Sequence, residues 1–532
     1  MSADFDPSPT PGAAPPRRGS ALWALLVMVG AAVIAVVAIQ AGGAHSDPSG
    51  GDPKAAGAVS DLITVSPRVT SPPVRPGFVG FSIEFQALPK YTGLNPGAIN
   101  PVFESLVQGL AAGAPPVIRI GGESSDVTWL PVPGILKPPG VSFNLSPRWL
   151  AATDALATAT GAQVIFGLNL AANKPALAAA EARAALKRLG SRVQTLEIGN
   201  EPNVYTVVPW FHTASGAPVM SRPPSYDFQS FAGDFRRESQ ALPAVPLAGP
   251  AYGIGPSSTK GQWVSHLPAL ISAYPRLSVV TLHRYPLRNC SVGPGSPQFP
   301  TIPNLLRSFS SRGLATDIAG DVAVAHRRGR QFRLDELNSV ACRGKRGVSD
   351  TFASALWALD VLFNLARVGV DGVNFHTLPN ASYQLFSFSR VHGRWRAFVR
   401  PVYYGALLFA QAAPPGSRLL QVRSAAPGRV SAWAALARNG RLSIVLINKG
   451  LRAARTIAVK PPRGTRGTPT LERMTAPSVR ATSGVTIGER TFGRQTFTGV
   501  LPAPVTIPLT PTSGGEYRLK LPPASAAVLT FP

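Results

Sequence analysis

Eight short β-prone segments recur between residues 78 and 375, with stretches rich in alanine and leucine between them. The segments are 78–85, 117–120, 163–169, 194–198, 246–251, 279–283, 331–336 and 371–375. Strands that alternate with helices build parallel sheets, and eight such units favour a closed barrel. We therefore predict an α/β fold with a (β/α)8 TIM barrel over residues 75–404. An open doubly wound sheet is the alternative, but no Gly-x-Gly-x-x-Gly motif follows an early segment.

The pattern changes in the last quarter of the chain, where β-prone segments follow one another without helical stretches between them. We predict an antiparallel β-sandwich domain over residues 405–532. Segments 429–436 and 442–448 flank Asn439-Gly440, which indicates a hairpin with a type I′ turn. Residues 58–74, upstream of the barrel, are expected to add a strand to this sandwich. The other predicted strands are 456–459, 485–487, 505–509, 516–521 and 526–531.

Residues 21–39 are uncharged and almost wholly apolar. As a helix they would span roughly 28 Å, which is enough to cross a bilayer core. Arg17 and Arg18 precede this run, and the next lysine or arginine is Lys54. The positive-inside rule therefore predicts a membrane-anchored, extracytoplasmic protein, with secretion after signal cleavage as the alternative. The flanking segments are predicted to be a cytoplasmic or signal n-region (1–20) and a flexible linker (40–57).

The chain carries 52 lysines and arginines against 26 aspartates and glutamates, a formal charge of +26. The basic residues are scattered rather than gathered in a run, so compositional bias is favoured over an acidic partner, which stays open. Two cysteines exclude a cysteine-rich zinc protein. Motifs for nucleic acid, phosphate or dinucleotide binding are absent. We therefore predict no cofactor, no metal and no nucleic-acid partner.

Two glutamates stand at the ends of predicted barrel strands four and seven. Glu201 follows Asn200 after the fourth β-prone segment, and Glu336 closes the seventh. The carboxyl ends of barrel strands gather at the catalytic rim. Glycoside hydrolysis needs two carboxyl groups, one to protonate the leaving oxygen and one to attack the anomeric carbon. A single rim glutamate would be better explained as a solvated carboxylate, but the pair favours hydrolysis.

These motifs resemble those of clan A retaining glycoside hydrolases, and more narrowly of family 79, which contains heparanases, β-glucuronidases and some hyaluronidases. The resemblance rests on residues 118–122, 197–203 and 336–353 and covers roughly residues 60–532. It implies a TIM barrel and a sandwich to which both chain ends contribute. It also implies that Glu201 is the acid/base and Glu336 the nucleophile.

The resemblance implies further sugar contacts at the rim. Asn200 matches the residue that hydrogen-bonds the 2-hydroxyl of the sugar. His283 and Tyr285 match a rim His-x-Tyr pair whose tyrosine orients the nucleophile. Glu84 ends the first segment, where the family has an acidic residue that contacts the sugar. Solvated or structural roles are the alternatives for His283 and Glu84.

The family binds the uronate carboxylate partly through backbone amides of a glycine-rich turn after strand seven. In this chain Cys342 and Arg343 stand in that turn, so side-chain charge could replace the backbone contact. Phe375 stands near the position of a strand-eight tyrosine in some members, and Tyr383 is a candidate to replace it.

Cys290 and Cys342 follow predicted strands six and seven, which would be neighbours in the barrel. Paired cysteines are typical of exported proteins, so we predict a disulfide between them, with two separate buried thiols as the alternative.

The sequence thus predicts an exported retaining glycosidase that acts on β-linked glucuronic acid in a polysaccharide or glycoside. A retaining clan A enzyme for a neutral sugar and a non-catalytic, envelope-anchored carbohydrate-binding protein are the alternatives.

Overall fold

The structure is a computed structural model that describes residues 61–254, 259–426, 428 and 430–532. The predicted segments 1–20, 21–39 and 40–57 lie outside the described residues. Within the described ranges, no helix combines the length and the apolar character needed to cross a membrane.

Eight parallel strands close into a barrel, which confirms the predicted (β/α)8 architecture. A preceding strand, β1 (Asp61–Val69), belongs to the sandwich. The barrel strands are β2 (Val79–Ile83), β3 (Val117–Ile120), β4 (Gln163–Leu168), β5 (Val193–Ile198), β6 (Leu247–Ile254), β7 (Leu277–Arg284), β8 (Gln331–Leu337) and β9 (Gly372–Thr377). They follow one another around the barrel in chain order, and β9 pairs with β2 to close it. All residues of β2, β3 and β9 are buried, because barrel strands are covered on both faces.

Helices surround the barrel, and several begin at a proline preceded by a capping residue. Ser146, for example, accepts a hydrogen bond from the Trp149 amide at 3.1 Å, ahead of Pro147. The helices are α1 (Leu88–Thr92), α2 (Pro101–Ala111), α3 (Pro147–Thr160), α4 (Pro175–Leu189), α5 (Phe228–Ala241), α6 (Leu267–Ala273), α7 (Ile302–Leu306), α8 (Arg312–Arg327), α9 (Phe352–Arg367) and α10 (Pro401–Ala412).

Helix α10 crosses the boundary predicted between residues 404 and 405. Its residues are apolar on every face, so it packs as a buried barrel helix against α9 and α2. The Tyr403 hydroxyl donates to the Leu106 carbonyl of α2 at 2.8 Å. The predicted boundary is therefore too early, because the last barrel helix continues to Ala412.

Four two-stranded sheets lie outside the main elements, and the sequence analysis missed all of them. They pair Thr128–Trp129 with Phe143–Asn144, Pro209–His212 with Pro218–Met220, Leu287–Arg288 with Val340–Ala341, and Phe386–Val391 with Arg394–Val399.

The sandwich strands form one continuous sheet in the order β15-β14-β18-β12-β11-β10-β1-β13-β17, with β16 paired to β14. They are β10 (Arg418–Ser424), β11 (Ser431–Leu436), β12 (Leu442–Asn448), β13 (Arg455–Lys460), β14 (Thr470–Thr475), β15 (Thr486–Ile487), β16 (Ile507–Pro508), β17 (Tyr517–Leu521) and β18 (Ser525–Phe531). Apolar side chains from both halves of this sheet meet in one core. The sheet is mixed rather than purely antiparallel, because β1 runs parallel to β13.

The β11–β12 hairpin has a different turn from the one predicted. The Ala437 amide donates to the Arg441 carbonyl at 2.9 Å, so three residues form the loop. Gly440 has a φ of 88°, whereas Asn439 is not among the residues with positive φ. A type I′ turn needs positive φ at both central residues, so the predicted turn type is wrong.

Candidate active site

The two predicted glutamates lie side by side at the carboxyl ends of β5 and β8. One carboxylate oxygen of Glu201, one of Glu336 and a ring nitrogen of His283 all lie within 4.8 Å of one another. Retaining glycosidases place their carboxyl groups about 5–5.5 Å apart, whereas inverting ones need about 6.5–9.5 Å. This upper limit on the oxygen–oxygen distance lies below the inverting spacing.

The backbone around Glu201 is held in an unusual conformation. Glu201 has a φ of 47°, which is uncommon for a residue with a side chain, and its amide donates to the Ala251 carbonyl at 2.9 Å. A Cβ at Gly253 would lie 2.5 Å from the Glu201 carboxylate. Glycine at that position therefore lets β6 pass directly beside the carboxylate.

Glu336 is held by donors on several sides. The Tyr285 hydroxyl donates to it at 2.8 Å and Arg119 Nη1 donates at 2.9 Å. Burial alone would raise the pKa of Glu336, but His376, His283, Arg119 and the Tyr285 hydrogen bond outweigh it and hold the pKa well below its usual range. Burial lowers the pKa of His376, whereas the carboxylates around Arg119 raise its pKa, so Arg119 keeps its charge at neutral pH.

Arg119 lies within the motif at residues 118–122, and the sequence analysis assigned it no role. Its side chain is fully buried, and its Nε lies 2.7 Å from Glu197 and 3.2 Å from Asp335. Its Nη2 donates to the Asn200 side-chain oxygen at 2.9 Å. A buried charge needs such partners. An arginine within the apolar strand β3 was the signal that could have identified it.

His283 and Asn200 both lie beside Glu201 at the barrel rim. The His283 Nδ1 lies 3.0 Å from a Glu201 oxygen and 3.8 Å from a Glu336 oxygen. Asn200 lines the cleft beside Glu201 while Arg119 fixes its side-chain oxygen.

Glu84 is buried next to the cleft-lining residue Ser124, with 6% of its side chain exposed. It accepts a hydrogen bond from the Ser124 amide at 2.8 Å, and His376 Nε2 is 3.5 Å away. Burial, with repulsion from Glu123 and Glu336, raises the pKa of Glu84 to about 8. The sequence analysis gave His376 no role, although it lies between Glu84 and Glu336.

The turn after β8 carries Cys342 and Arg343 at the edge of the site. Cys342 is bonded to Cys290, with Cα atoms 6.0 Å apart, so the loops after β7 and β8 are covalently joined. Three consecutive residues have positive φ: Cys342 at 60°, Arg343 at 65° and Gly344 at 77°. Since the Cys342 sulfur is in the disulfide, a substrate contact from this residue would come from its backbone amide.

Arg343 is exposed, and its charge acts on groups that face the cleft. Enclosure by the cleft walls, with repulsion from Glu201 and Glu336, raises the pKa of Glu123 to about 7, and Arg343 opposes this shift. Glu123 as a whole remains exposed at the cleft mouth, so solvent moderates the effect.

Tyr383, rather than Phe375, contributes the aromatic ring near β9, which is the eighth strand of the barrel. Its ring centroid lies 6.1 Å from that of Tyr285 and 5.8 Å from that of His376. Phe375 is buried against Trp357 instead, because its side chain points away from the barrel interior toward α9.

The cleft beside Glu201 has a volume of about 310 Å³. Its walls combine apolar and polar side chains, including Trp210, Val208, Glu123, Gln86, Ser142 and Ser221. Within the described ranges, Glu201, His283 and Glu336 are the cluster whose residue types could bind a metal. Arg119 already places a positive charge 2.9 Å from Glu336, which disfavours a second cation there.

Comparison with known proteins identifies relatives, although no family model matches the chain. A β-glucuronidase of Aspergillus niger is 26% identical over 371 residues, which cover 64% of this chain. The chain spans 65% of the length of that relative. A β-glucuronidase of Neurospora crassa is 25% identical over 395 residues, 67% of each chain.

Solved structures of similar fold include glycoside hydrolases. A 4-O-α-L-rhamnosyl-β-D-glucuronidase from Fusarium oxysporum superposes with a TM-score of 0.65 at 20% identity, covering 88% of this chain and 100% of that one. A family 51 arabinofuranosidase from Xanthomonas axonopodis pv. citri gives 0.63 at 14% identity, over 89% and 100%. The predicted resemblance is supported: the chain is similar in sequence to β-glucuronidases and shares its fold with glycoside hydrolases.

Proposed function

We propose that the protein is a retaining β-glucuronidase, which removes β-linked glucuronic acid from glycans or glycoconjugates by double displacement. The observation that carries this proposal is the pair formed by Glu201 and Glu336, with carboxylate oxygens within 4.8 Å at the barrel rim. The β-glucuronidase relatives support the choice of sugar.

In the first step, ionised Glu336 attacks the anomeric carbon, and the bond to the leaving oxygen breaks. Glu201 gives its proton to that oxygen, so no free alkoxide forms. Arg119 and Tyr285 each donate a hydrogen bond to a different carboxylate oxygen of Glu336. These two bonds keep Glu336 ionised and fix its orientation. The products are the free alcohol and a glycosyl ester of Glu336.

In the second step, water attacks the same carbon from the face that the leaving group vacated. Glu201, left ionised when it protonated the leaving oxygen, accepts a proton from that water, and the ester bond breaks to restore the Glu336 carboxylate. Two inversions at the anomeric carbon give net retention. His283, at 3.0 Å from Glu201, is placed to hold that carboxylate in position during both steps.

The leaving group belongs in the cleft beside Glu201, because the acid must reach the leaving oxygen. Trp210 and Val208 form an apolar part of its wall. The Trp210 indole nitrogen donates to the Asp126 carbonyl at 2.7 Å, so the ring is fixed in place. Such a wall suits the face of a sugar ring or an aryl group.

Recognition of the uronate carboxylate is assigned to the turn after β8. Arg343 is exposed there and acts electrostatically on Glu123, which lines the cleft, and on the buried Tyr383. Guanidinium groups bind carboxylates through charge-assisted hydrogen bonds. A backbone amide of Cys342 or Arg343, held in the left-handed turn, is the second possible donor.

Export is part of the proposal. The apolar run 21–39, preceded by Arg17 and Arg18, supports translocation of the rest of the chain, with membrane anchoring by the run itself. The disulfide between Cys290 and Cys342 is compatible with an oxidising compartment. Fractionation of cells that express the full chain should place the protein in the envelope or the medium, and a cytoplasmic location would contradict export.

The decisive experiment compares hydrolysis of an aryl β-glucuronide with that of aryl β-xyloside and aryl α-arabinofuranoside. Turnover of the glucuronide alone is expected, with proton NMR showing that the β-anomer of glucuronic acid is released first. Preference for a neutral sugar would replace the substrate assignment. Absence of turnover on all three would favour a carbohydrate-binding protein, and initial release of the α-anomer would rule out retention.

A further inference from the structure

A second cavity lies where the barrel helices meet the sandwich, and it shares no lining residue with the cleft. Its volume is about 700 Å³. Helices α7, α8 and α9 form one side, and strands β11, β12 and β13 form the other. Five basic side chains line it: Arg307, Arg312, Arg367, Lys449 and Arg455.

Asp360 is the acidic residue of this cavity, and its charge is already compensated. The Lys449 ammonium lies 2.7 Å from one carboxylate oxygen, and the Ser311 hydroxyl donates to the same oxygen at 2.6 Å. The Trp433 indole donates to the other oxygen at 3.0 Å. These contacts tie the barrel to the sandwich, and Lys449 already balances the charge of Asp360, so the cavity lining carries an excess of positive charge from four arginines.

The arginine side chains lack carboxylate partners among the described residues. Arg367 lies over the Trp433 ring, 5.5 Å from its centroid, and donates to the Asn364 side chain at 3.2 Å. The charge of Arg312 repels that of Arg367. The Nε of Arg455 is buried and has no hydrogen-bond partner in the described structure. Clustered cations and a buried unsatisfied donor are both compensated when an anion enters.

We propose that this cavity is a second binding site, separate from the cleft, for the acidic groups of a polysaccharide chain. The volume exceeds that of the cleft and exceeds what a single small ion would fill. The hydroxyls of Ser308 and Ser431 and the partly exposed Leu451 also line it. Polar and apolar surface of this kind matches the hydroxyl edges and the carbon faces of sugars. The choice of a uronate-bearing glycan rests on the proposed function, whereas anion binding does not.

The test uses the full chain with Glu336→Gln, so that bound glycan is not cleaved. Calorimetric titration with a short hyaluronan oligosaccharide at low salt should show a binding event that Arg307→Ala with Arg312→Ala weakens by about tenfold or more. Both arginines are exposed, so this double substitution spares the core. Arg463→Ala with Arg466→Ala removes the same charge from another exposed part of the surface and should leave the affinity unchanged.

In protein that retains Glu336, the Arg307→Ala, Arg312→Ala double substitution should leave kcat/KM for an aryl β-glucuronide unchanged. This result would show that the site is distinct from the cleft. Equal losses of glycan affinity in the two double variants would overturn the proposal, because binding would then depend on the overall charge of the protein rather than on this cavity. So would equally tight binding of single-stranded oligothymidylate, or saturation of the cavity by inorganic sulfate without any glycan binding. If the protein fails to hydrolyse glucuronides but the titration behaves as expected, the proposed function fails and the site remains.

Discussion

Glu201 and Glu336 are the same residue type, and their surroundings separate them. Glu336 accepts hydrogen bonds from the Arg119 guanidinium at 2.9 Å and from the Tyr285 hydroxyl at 2.8 Å, and both favour its ionised form. Glu201 has 28% of its side chain exposed and lies on the cleft, where a leaving group can reach it. This difference in environment can assign two roles to one residue type.

Replacing each of the two glutamates should therefore affect turnover in a different way. Glu336→Ala should abolish turnover of every glucuronide. Glu201→Ala should slow unactivated substrates by about 10²–10⁴-fold but spare glycosylation by aryl substrates with good leaving groups, which need no proton. Added azide should restore turnover of the Glu201→Ala variant and give a β-glycosyl azide as product. If azide restores turnover of the Glu336→Ala variant at all, the product should be the α-glycosyl azide. Product anomers by NMR and burst kinetics measure this. Equal losses on both substrate classes without azide rescue would contradict the assignment.

Arg119 should determine the acid limit of activity as well as stability. Removing one member of a buried ion network costs about 3–5 kcal/mol of unfolding free energy, so Arg119→Met should be strongly destabilised. The positive charge lowers the pKa of Glu336, and its loss raises that pKa. In the proposed mechanism activity disappears as Glu336 is protonated, so the acid limb of kcat/KM should move to higher pH.

A matched control separates the effect on pH from the effect on stability. Arg333 is also buried in the barrel, but its guanidinium donates to Asn374 at 2.7 Å and to the Gly77 carbonyl at 2.8 Å, away from Glu336. Arg333→Met should lose stability without moving the acid limb. An acid limb that shifts equally in both variants would contradict the role of Arg119.

Glu123 should limit binding of an anionic substrate at higher pH. Its pKa is raised to about 7, chiefly by enclosure, so it is neutral below that pH and becomes a carboxylate above it. That carboxylate would repel a uronate, and KM for the glucuronide should rise as pH passes through about 7. Glu123→Gln should remove this rise with little change in kcat at low pH. Glu104→Gln, on the remote helix α2, should keep it. A persistent rise in the Glu123 variant would contradict this role.

At the scale of elements, the alternation of strands and helices predicted the barrel because each strand end and each helix has a local signal. Glu201, Glu336 and Asn200 were proposed from the sequence because they stand at the ends of β-prone segments. His376 and Arg119 were not assigned because their roles depend on which way side chains point inside the closed barrel. That direction is set by the pairing of strands distant in sequence, such as β9 with β2.

The disulfide joins the two loops that carry Tyr285 and Arg343. It closes a sequence separation of 52 residues, for which chain-entropy arguments give about 2–4 kcal/mol of stability. Cys290→Ser with Cys342→Ser should therefore lower the melting temperature and raise KM for the glucuronide, because Arg343 directly follows Cys342. Wild-type protein reduced with dithiothreitol is the matched control and should behave like the double variant. An unchanged KM in both would show that the turn holds its shape without the bond.

At the scale of the whole molecule, the barrel and the sandwich share apolar packing. Phe363 of α9 stacks on Trp433 of β11, with ring centroids 5.5 Å apart and planes 9° from parallel. One continuous core includes barrel side chains together with Ile447 of β12. Sequence patterns identified both layers but not this contact, because a fully apolar helix such as α9 does not indicate which partner covers each face.

This shared core predicts that the described part of the chain unfolds as one unit. Ile444 and Ile447 are both fully buried on β12, but Ile447 belongs to the core shared with the barrel and Ile444 to the core inside the sandwich. Each Ile→Ala substitution should cost about 2–5 kcal/mol. If the layers are coupled, both variants should lower one common transition, followed in parallel by loss of glucuronidase activity and by tryptophan fluorescence. Two separate unfolding transitions in the Ile444→Ala variant, with activity retained after the first, would show that the barrel stays folded when the sandwich unfolds.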